Sequence, residues 1–472
     1  MTILTNIVAP GNILITSNTA TITNKTINGA DNTLTVRMAN DVSGTLPTTN
    51  GGFGQTSYTE GQLLIGNTAG SLTKTTLTAG TDISVTNGNG TITIDYAPPI
   101  VYNNSAWTWG AGGNGARGDN TTTGCVSSPV SVVGGFTDWC QISIGGTGGT
   151  TTGFGFGVRT NGTLWAWGYN GNRAHLGTNN LNNSSSPVSV AGGFTDWCQV
   201  SAGYNHSVAV RQNGTAWGWG CNNYGKLGDG TTDIKSSPVS VVGGFTDWCQ
   251  VSASRTYFSI GVRQNGTAWA WGKGFVLGNN CSGSPGNDRS SPVSVAGGFT
   301  DWCQVSAGSS SSLGVRINGT AWGWGSGSSG KLGDNCTSQR CSPVSVVGGF
   351  TDWCQISTGD YAGLAVRTNG TMWGWGNNGD GRLGDNSTDN KSSPVSVVGG
   401  FTDWCQVAAF AHSAAVRTNG TAWAWGFNTQ GQLGDNTTVS KSSPVSVVGG
   451  FTDWCQVSVT SGLSAGIRST AT

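Results

Sequence analysis

The hexapeptide Phe-Thr-Asp-Trp-Cys-Gln occurs seven times in this chain, and no other feature limits the fold so severely. Its Trp falls at 139, 197, 248, 302, 353, 404 and 454, at intervals of 58, 51, 54, 51, 51 and 50 residues. A second motif, Trp-x-Trp-Gly, also occurs seven times, beginning at Trp107, Trp165, Trp217, Trp269, Trp322, Trp373 and Trp423. An Arg after Val or Ile recurs at Arg159, Arg211, Arg263, Arg316, Arg367, Arg417 and Arg468. The counts agree but the phases do not. The motif at Trp107 has no Val-Arg-x-Asn-Gly ahead of it, and Arg468 has no Trp after it.

Each copy contains four short runs, in the copy that follows Trp197 "CQVSA", "SVAVR", "TAWGW" and "SPVSVV", separated by Gly, Asn, Asp and Ser. Rough period-two alternation bounded by Gly and Asn reads as antiparallel strands, and Asn-Gly after the second run reads as a tight hairpin turn. Four strands in about 50 residues, repeated, make a propeller blade. The expected fold is all-β: a seven-bladed β-propeller over residues 102–472, joined by a Pro-containing link at 97–101 to a smaller β-rich domain at 1–96. The orphan motifs match each other. Trp107 and Trp109 supply the strand that completes the last blade beside Arg468, which closes the ring and leaves no long open edge.

The run "NGTAWAWGFNTQGQLGDNTTVSKSSPVSVV", with "DWCQVSAGYNHSVAV" in an earlier copy, resembles the regulator of chromosome condensation repeat. That resemblance covers about three quarters of the chain and implies seven blades. The founding member of the family exchanges nucleotide on a small GTPase while bound to chromatin. This sequence departs where that activity resides: His-Ser survives only at His206-Ser207 and His412-Ser413, and no blade carries a wedge-like insertion. Lys plus Arg equal Asp plus Glu at 22 each, so no net positive charge draws a phosphate backbone. A nucleic-acid partner is not expected.

Twelve Cys do not read as a disulfide framework. Seven occupy the same repeat position (140, 198, 249, 303, 354, 405 and 455), which the ring holds apart, and are expected as small buried thiols. Cys336 and Cys341 are the one pair spaced for a bridge. No Cys-x-x-Cys or His spacing suits zinc. No nucleophile, base and orienting acid stand out from the repeat, so neither enzyme activity, metal nor cofactor is expected. The repeated Asp and Arg read as structural. The start "MTILTNIVAPGN" lacks a signal-peptide pattern and no apolar run approaches a membrane span.

Residues 1–96 contain neither Trp nor Cys and are rich in Thr, Asn and Gly. "TDISVTNGNGTITIDY" alternates around an Asn-Gly turn. "DVSGTLPTTNGGFGQTSYTEGQLLIGN" resembles stretches of bacteriophage tail-fibre proteins. The resemblance implies a homo-oligomer, usually a trimer, attached to other virion proteins through this segment.

In a four-stranded meander the first and third connections emerge on one face of the disc, and the second connection and blade-to-blade link on the other. The second connection is Asn-Gly-Thr in all six intact copies and the link is "GGFTDW" in all seven, whereas the first and third vary in length and content. One face is uniform, the other variable. On the variable face the residues suited to stacking on sugars and orienting hydroxyls are Tyr204, Asn205, His206, Arg255, Tyr257, Asp360, Tyr361 and His412. The expected function is a virion fibre or spike, made in the host cytoplasm and exposed on the particle, that contacts a host surface glycan or receptor. The alternatives are a capsid-decoration or filament subunit, and a signalling propeller acting on a small GTPase.

Overall fold

The computed structural model describes residues 102–146, 152–280 and 287–471, with five strands nearer the N-terminus. Two compact units are present, Met1–Val101 and Tyr102–Thr472. In the first, Ile83–Gly88 pairs antiparallel with Thr91–Tyr96, the hairpin expected around Asn-Gly, and Leu34–Arg37 joins the far side of Thr91–Tyr96. Gln62–Gly66 pairs with Leu72–Thr76. The link at 97–101 and most of the fibre-like segment lie outside the described residues.

The second unit is a seven-bladed β-propeller. Blade 2 shows the plan: Trp197–Ala202, His206–Arg211, Ala216–Gly220 and Lys235–Ser240 lie side by side in that order, each antiparallel to the next. Position in the blade explains composition. The second strand is buried through five successive residues, because adjacent blades cover both its faces, so after His206 the run "SVAV" is apolar or small throughout. The outermost strand carries Pro238, which cannot donate to a further strand and so suits a sheet edge.

The core is seven separate clusters, one between each pair of neighbouring blades. Between blades 2 and 3, Val208, Val210 and Ala216 meet Trp248, Val251 and Trp271. The second Trp of each Trp-x-Trp-Gly has no exposed surface, and five of the seven donate Nε1 to a carbonyl of the preceding blade, as Trp219 does to His175 at 3.0 Å. Gly177 shows what this closeness demands. Its φ is +66°, and a Cβ there would stand 2.8 Å from the Trp219 ring.

The ring closes as the orphan motifs require. Blade 7 consists of Trp454–Val459, Leu463–Ala471, Tyr102–Ala111 and Cys125–Ser131. The seam runs over nine residue pairs, from Leu463 opposite Gly110 to Ala471 opposite Tyr102. Trp109 is fully buried, and Arg468 pairs with Asp453 at 2.7 Å while stacking 3.5 Å above Phe451.

Innermost strands would each leave one backbone edge unpaired along the central channel. The Gln after each repeated Cys caps that edge. Gln141 donates to Val200 O and accepts from Val200 N, at 3.0 and 2.7 Å, joining blade 1 to blade 2. All seven Gln accept such a bond from the next blade at 2.7 to 2.8 Å, the last passing from blade 7 to Ile142 of blade 1. Two residues on, Ser143, Ser201, Ser252, Ser306, Ser357 and Ser458 accept a second backbone N–H. Blade 6 has Ala408 at that place.

The seven repeated Cys correct an expectation: they are exposed. A bulge between the repeated Trp and Gln, as from Trp139 to Gln141, removes the Cys from the buried alternation. Each thiol lies 3.3 to 3.4 Å from a second-strand carbonyl of its own blade. Cys336 and Cys341 are free.

Two outcomes are expected. Deleting Asn103–Gly110 strips a strand from blade 7 and should abolish cooperative unfolding, whereas joining Arg468 to Asn103 by an Asn-Gly turn and opening another Asn-Gly site should preserve it; a deletion variant that melts like the parent refutes the shared blade. Ala408→Ser should supply the missing acceptor for Val459 N and raise stability by about 0.5–1.5 kcal/mol in urea denaturation.

Candidate functional site

Hydrogen bonds sort the connections onto two faces. On the uniform face, the Asn-Gly-Thr turn packs on the following link, as Trp197 N donates to Gly162 O at 2.9 Å. In that turn Asn161 Oδ1 accepts from Thr163 N and Oγ1 at 3.1 and 2.7 Å. Each repeated Arg pairs with the Asp of its own blade at 2.6 to 2.8 Å and stacks 3.5 to 4.3 Å above the Phe of the same link. That Phe also meets two Trp rings, as Phe194 does Trp197 and Trp217. Partly exposed ion pairs contribute little individually; the stacked cluster makes the Phe, Asp and Trp of each link packing requirements. Tyr102–Ala111 enters from this face, with Asn104 N bonded to Thr137 O at 2.7 Å.

The first and third connections meet on the opposite face. There the central channel opens as a cavity of about 270 Å³ walled by the Gln and Ser belts, with Gly146, Tyr204, Arg255, Gly308, Gly359 and Phe410 at its mouth. Arg255, on blade 3, reaches across the mouth. It pairs with Asp360 of blade 5, sits 4.6 Å from the Phe410 ring centroid of blade 6 and 5.5 Å from Tyr204 of blade 2, and lies 3.4 Å from Ser461 of blade 7. Burial lowers the Arg255 pKa, so the carboxylate and rings replace water around a partly desolvated cation. Asp360 Oδ1 has no hydrogen-bond partner among the described residues.

The residues singled out by sequence divide into two groups. Tyr204, Arg255 and Asp360 gather at the channel mouth; Tyr361, 42% exposed, stacks on Arg382 just outside it. Tyr257 lies apart, against Tyr224 and Phe275. Asn205, His206 and His412 do not present to solvent, which corrects their placement on the surface. Asn205 accepts a 2.6 Å bond from the buried Lys226, itself held down to a pKa of about 8 by burial. His206 and His412 have no exposed surface and bond through Nε2 to Ser259 and Ser464 of the next blade, at 3.0 and 2.6 Å. Each Ser donates its own proton to a carbonyl, so Nε2 is the protonated nitrogen. These His are interblade struts. Phe410, Tyr224, Lys273 and Phe275 were missed by sequence reasoning; aligning the copies flags each as a residue its equivalents do not share.

The seven repeated thiols are held toward the protonated form. Partial burial raises the Cys140 pKa, and Asp138 beside it adds to the rise. Among the described residues, no cluster of three or more His, Cys, Asp or Glu suits a metal, and no helix is long and apolar enough to cross a membrane.

Burial holds His412 down to about 3 and His175 to about 4, and pushes His206 well below its ordinary value. All three are neutral when folded but protonate near pH 6.5 when unfolded. The unfolded state therefore binds more protons as pH falls below 6.5, and stability present above that value is lost toward pH 4, by at most about 1.4 kcal/mol per pH unit per His. The urea midpoint should fall between pH 6 and 4.5, below the range in which the buried Lys226 titrates. His412→Gln should flatten that slope; an unchanged slope would falsify the strut assignment.

A family model described as RCC1-like domain matches residues 156–467. The human E3 ubiquitin-protein ligase HERC2 is 28% identical over 246 residues, covering 51% of this chain and 5% of that protein. The mitochondrial RCC1 domain-containing protein RUG3 of Arabidopsis thaliana is 28% identical over 257 residues, 51% of this chain and 56% of its own length. The chain thus spans only part of these relatives. The crystal structure of Prp20p from Saccharomyces cerevisiae superposes with a TM-score of 0.67 at 19% identity, covering 78% of this chain and 92% of that one, a likeness of fold.

Proposed function

The chain belongs to the RCC1-like domain family, and on that premise we propose that its propeller is a non-catalytic recognition head on a virion fibre or spike, binding a host surface glycan through the variable face. One observation carries this reading: the length changes among the connections fall on the face where Tyr204, Arg255, Asp360, Tyr361 and Phe410 gather at and beside a polar channel mouth. Aromatic faces for stacking beside a few fixed polar groups are what sugar recognition requires. The opposite face is consumed by its own stacked clusters, and the chain enters the propeller there at Tyr102. Support for the virion setting is the fibre-like sequence within residues 1–96, which would attach the head to other virion proteins, as a trimer if that resemblance holds. The family supplies the scaffold; fold alone assigns no chemistry.

Tyr204→Ala combined with Tyr361→Ala should reduce adsorption to host cells or purified surface glycan at least about tenfold, the scale of one lost aromatic anchor, while the melting temperature stays near the parent's. Gln212→Ala with Ile317→Ala, exposed on the uniform face, should leave adsorption intact. Normal adsorption by the tyrosine variant, or a loss that only tracks unfolding, would favour a capsid-decoration or filament subunit.

A further inference from the structure

Away from the channel mouth, where blades 2 and 3 meet on the variable face, three aromatic rings surround one ammonium group. Lys273 Nζ lies 4.3 Å from the ring centroid of Tyr257, 4.7 Å from Tyr224 and 5.3 Å from Phe275. The rings come from three connections: Tyr224 from the third of blade 2, Tyr257 from the first of blade 3, and Phe275 from the third of blade 3. They stand at steep angles, 73° between Tyr224 and Tyr257 and 59° between Tyr257 and Phe275, so they form walls rather than a stack. Among the described residues, Lys273 has neither a carboxylate at ion-pair distance nor a hydrogen bond from Nζ. Among those residues it is the three rings that hold it.

A second observation concerns backbone cost. Tyr224 has φ +70°, a left-handed conformation that a bulky aromatic residue rarely adopts. The same place in other copies holds Asn114 at φ 55° and Ser329 at φ 59°, small polar residues that tolerate it better. Asp380 and Gln430, at the same place in two further copies, are not among the residues with positive φ, so the repeat requires neither this backbone geometry nor the ring. The ring is also 37% exposed, so it fills no core space.

We propose that Tyr224, Tyr257 and Phe275 form a binding site for a quaternary ammonium group, such as a choline-type substituent, and that Lys273 is its built-in competitor. A ring cage attracts any cation through the negative faces of the rings. A primary ammonium is strongly hydrated and gives up water on entering without gaining an acceptor. A quaternary ammonium has no N–H to satisfy and spreads its charge over methyl groups that fit against rings. Lys273, on a flexible four-carbon stem, can swing into solvent and leave the walls standing. The site does not depend on the glycan reading, because it shares no ring with the channel mouth.

Tetramethylammonium is the probe, followed by line broadening of its methyl signal in NMR, with potassium chloride at equal ionic strength as the blank. The intact protein should broaden the signal, Lys273→Ala should bind about tenfold more tightly, and Tyr257→Ala should bind at least tenfold more weakly. Tyr204→Ala with Tyr361→Ala should bind like the parent, which separates this site from the adsorption surface. If Lys273→Ala does not fold, comparison of the intact protein with Tyr257→Ala decides alone: saturable broadening in the first and none in the second supports the site. No broadening by the intact protein and Lys273→Ala, or equal broadening by Tyr257→Ala, overturns it.

Discussion

A closed ring of sheets has a weakness at its centre, where every innermost strand turns one unpaired backbone edge toward an open channel. The repeated Gln answers it by presenting both an acceptor and a donor, as a peptide unit does, to the neighbouring strand. Its place is forced. The bulge at the preceding Cys sets the phase of the strand, so that Gln and then Ser face the channel while Val or Ile and the Trp point between blades. Interblade burial and channel polarity then follow from one alternation. The serine belt, broken at Ala408, shows that the two belts carry unequal weight: the Gln is present in every blade.

Much of this was legible because the repeat is nearly exact. Blade count, strand order and the closing strand follow from the phase mismatch between Trp107 and Arg468, which only a shared blade resolves. The Cys exposure was not legible, since one extra residue in a strand leaves no mark in composition. The burial of His206 and His412 escaped for another reason: sequence alone places them at a loop boundary, and only the neighbouring blade, through Ser259 and Ser464, covers them. Sequence alone marks Arg255 as a surface residue and gives no sign that Asp360, 105 residues away, is its partner. Contacts across a ring join positions that no local pattern links.

The contrast between faces has a physical origin. On the uniform face one Phe touches an Arg and two Trp rings, so a substitution within that cluster disturbs several partners at once. On the variable face each connection meets a different neighbour, such as Lys226 with Asn205 or Arg382 with Tyr361, and each junction can be resolved by its own local chemistry. Diversity can accumulate there without weakening the seven cores.

The shared blade also imposes an order in time. Tyr102–Ala111 leaves the ribosome roughly 350 residues before its partner Leu463–Ala471 exists, a wait on the order of tens of seconds at ordinary rates of translation. During that interval Cys125–Ser131 can pair with it, but the other edge of the two-stranded piece stays open. Nascent chains on one messenger are thus brought close together while each carries an unfilled β edge, and a neighbour's C-terminal strands are chemically identical to its own. Crowded synthesis therefore offers the waiting edge a second partner besides its own tethered strands, a choice that a propeller closed within contiguous sequence does not meet.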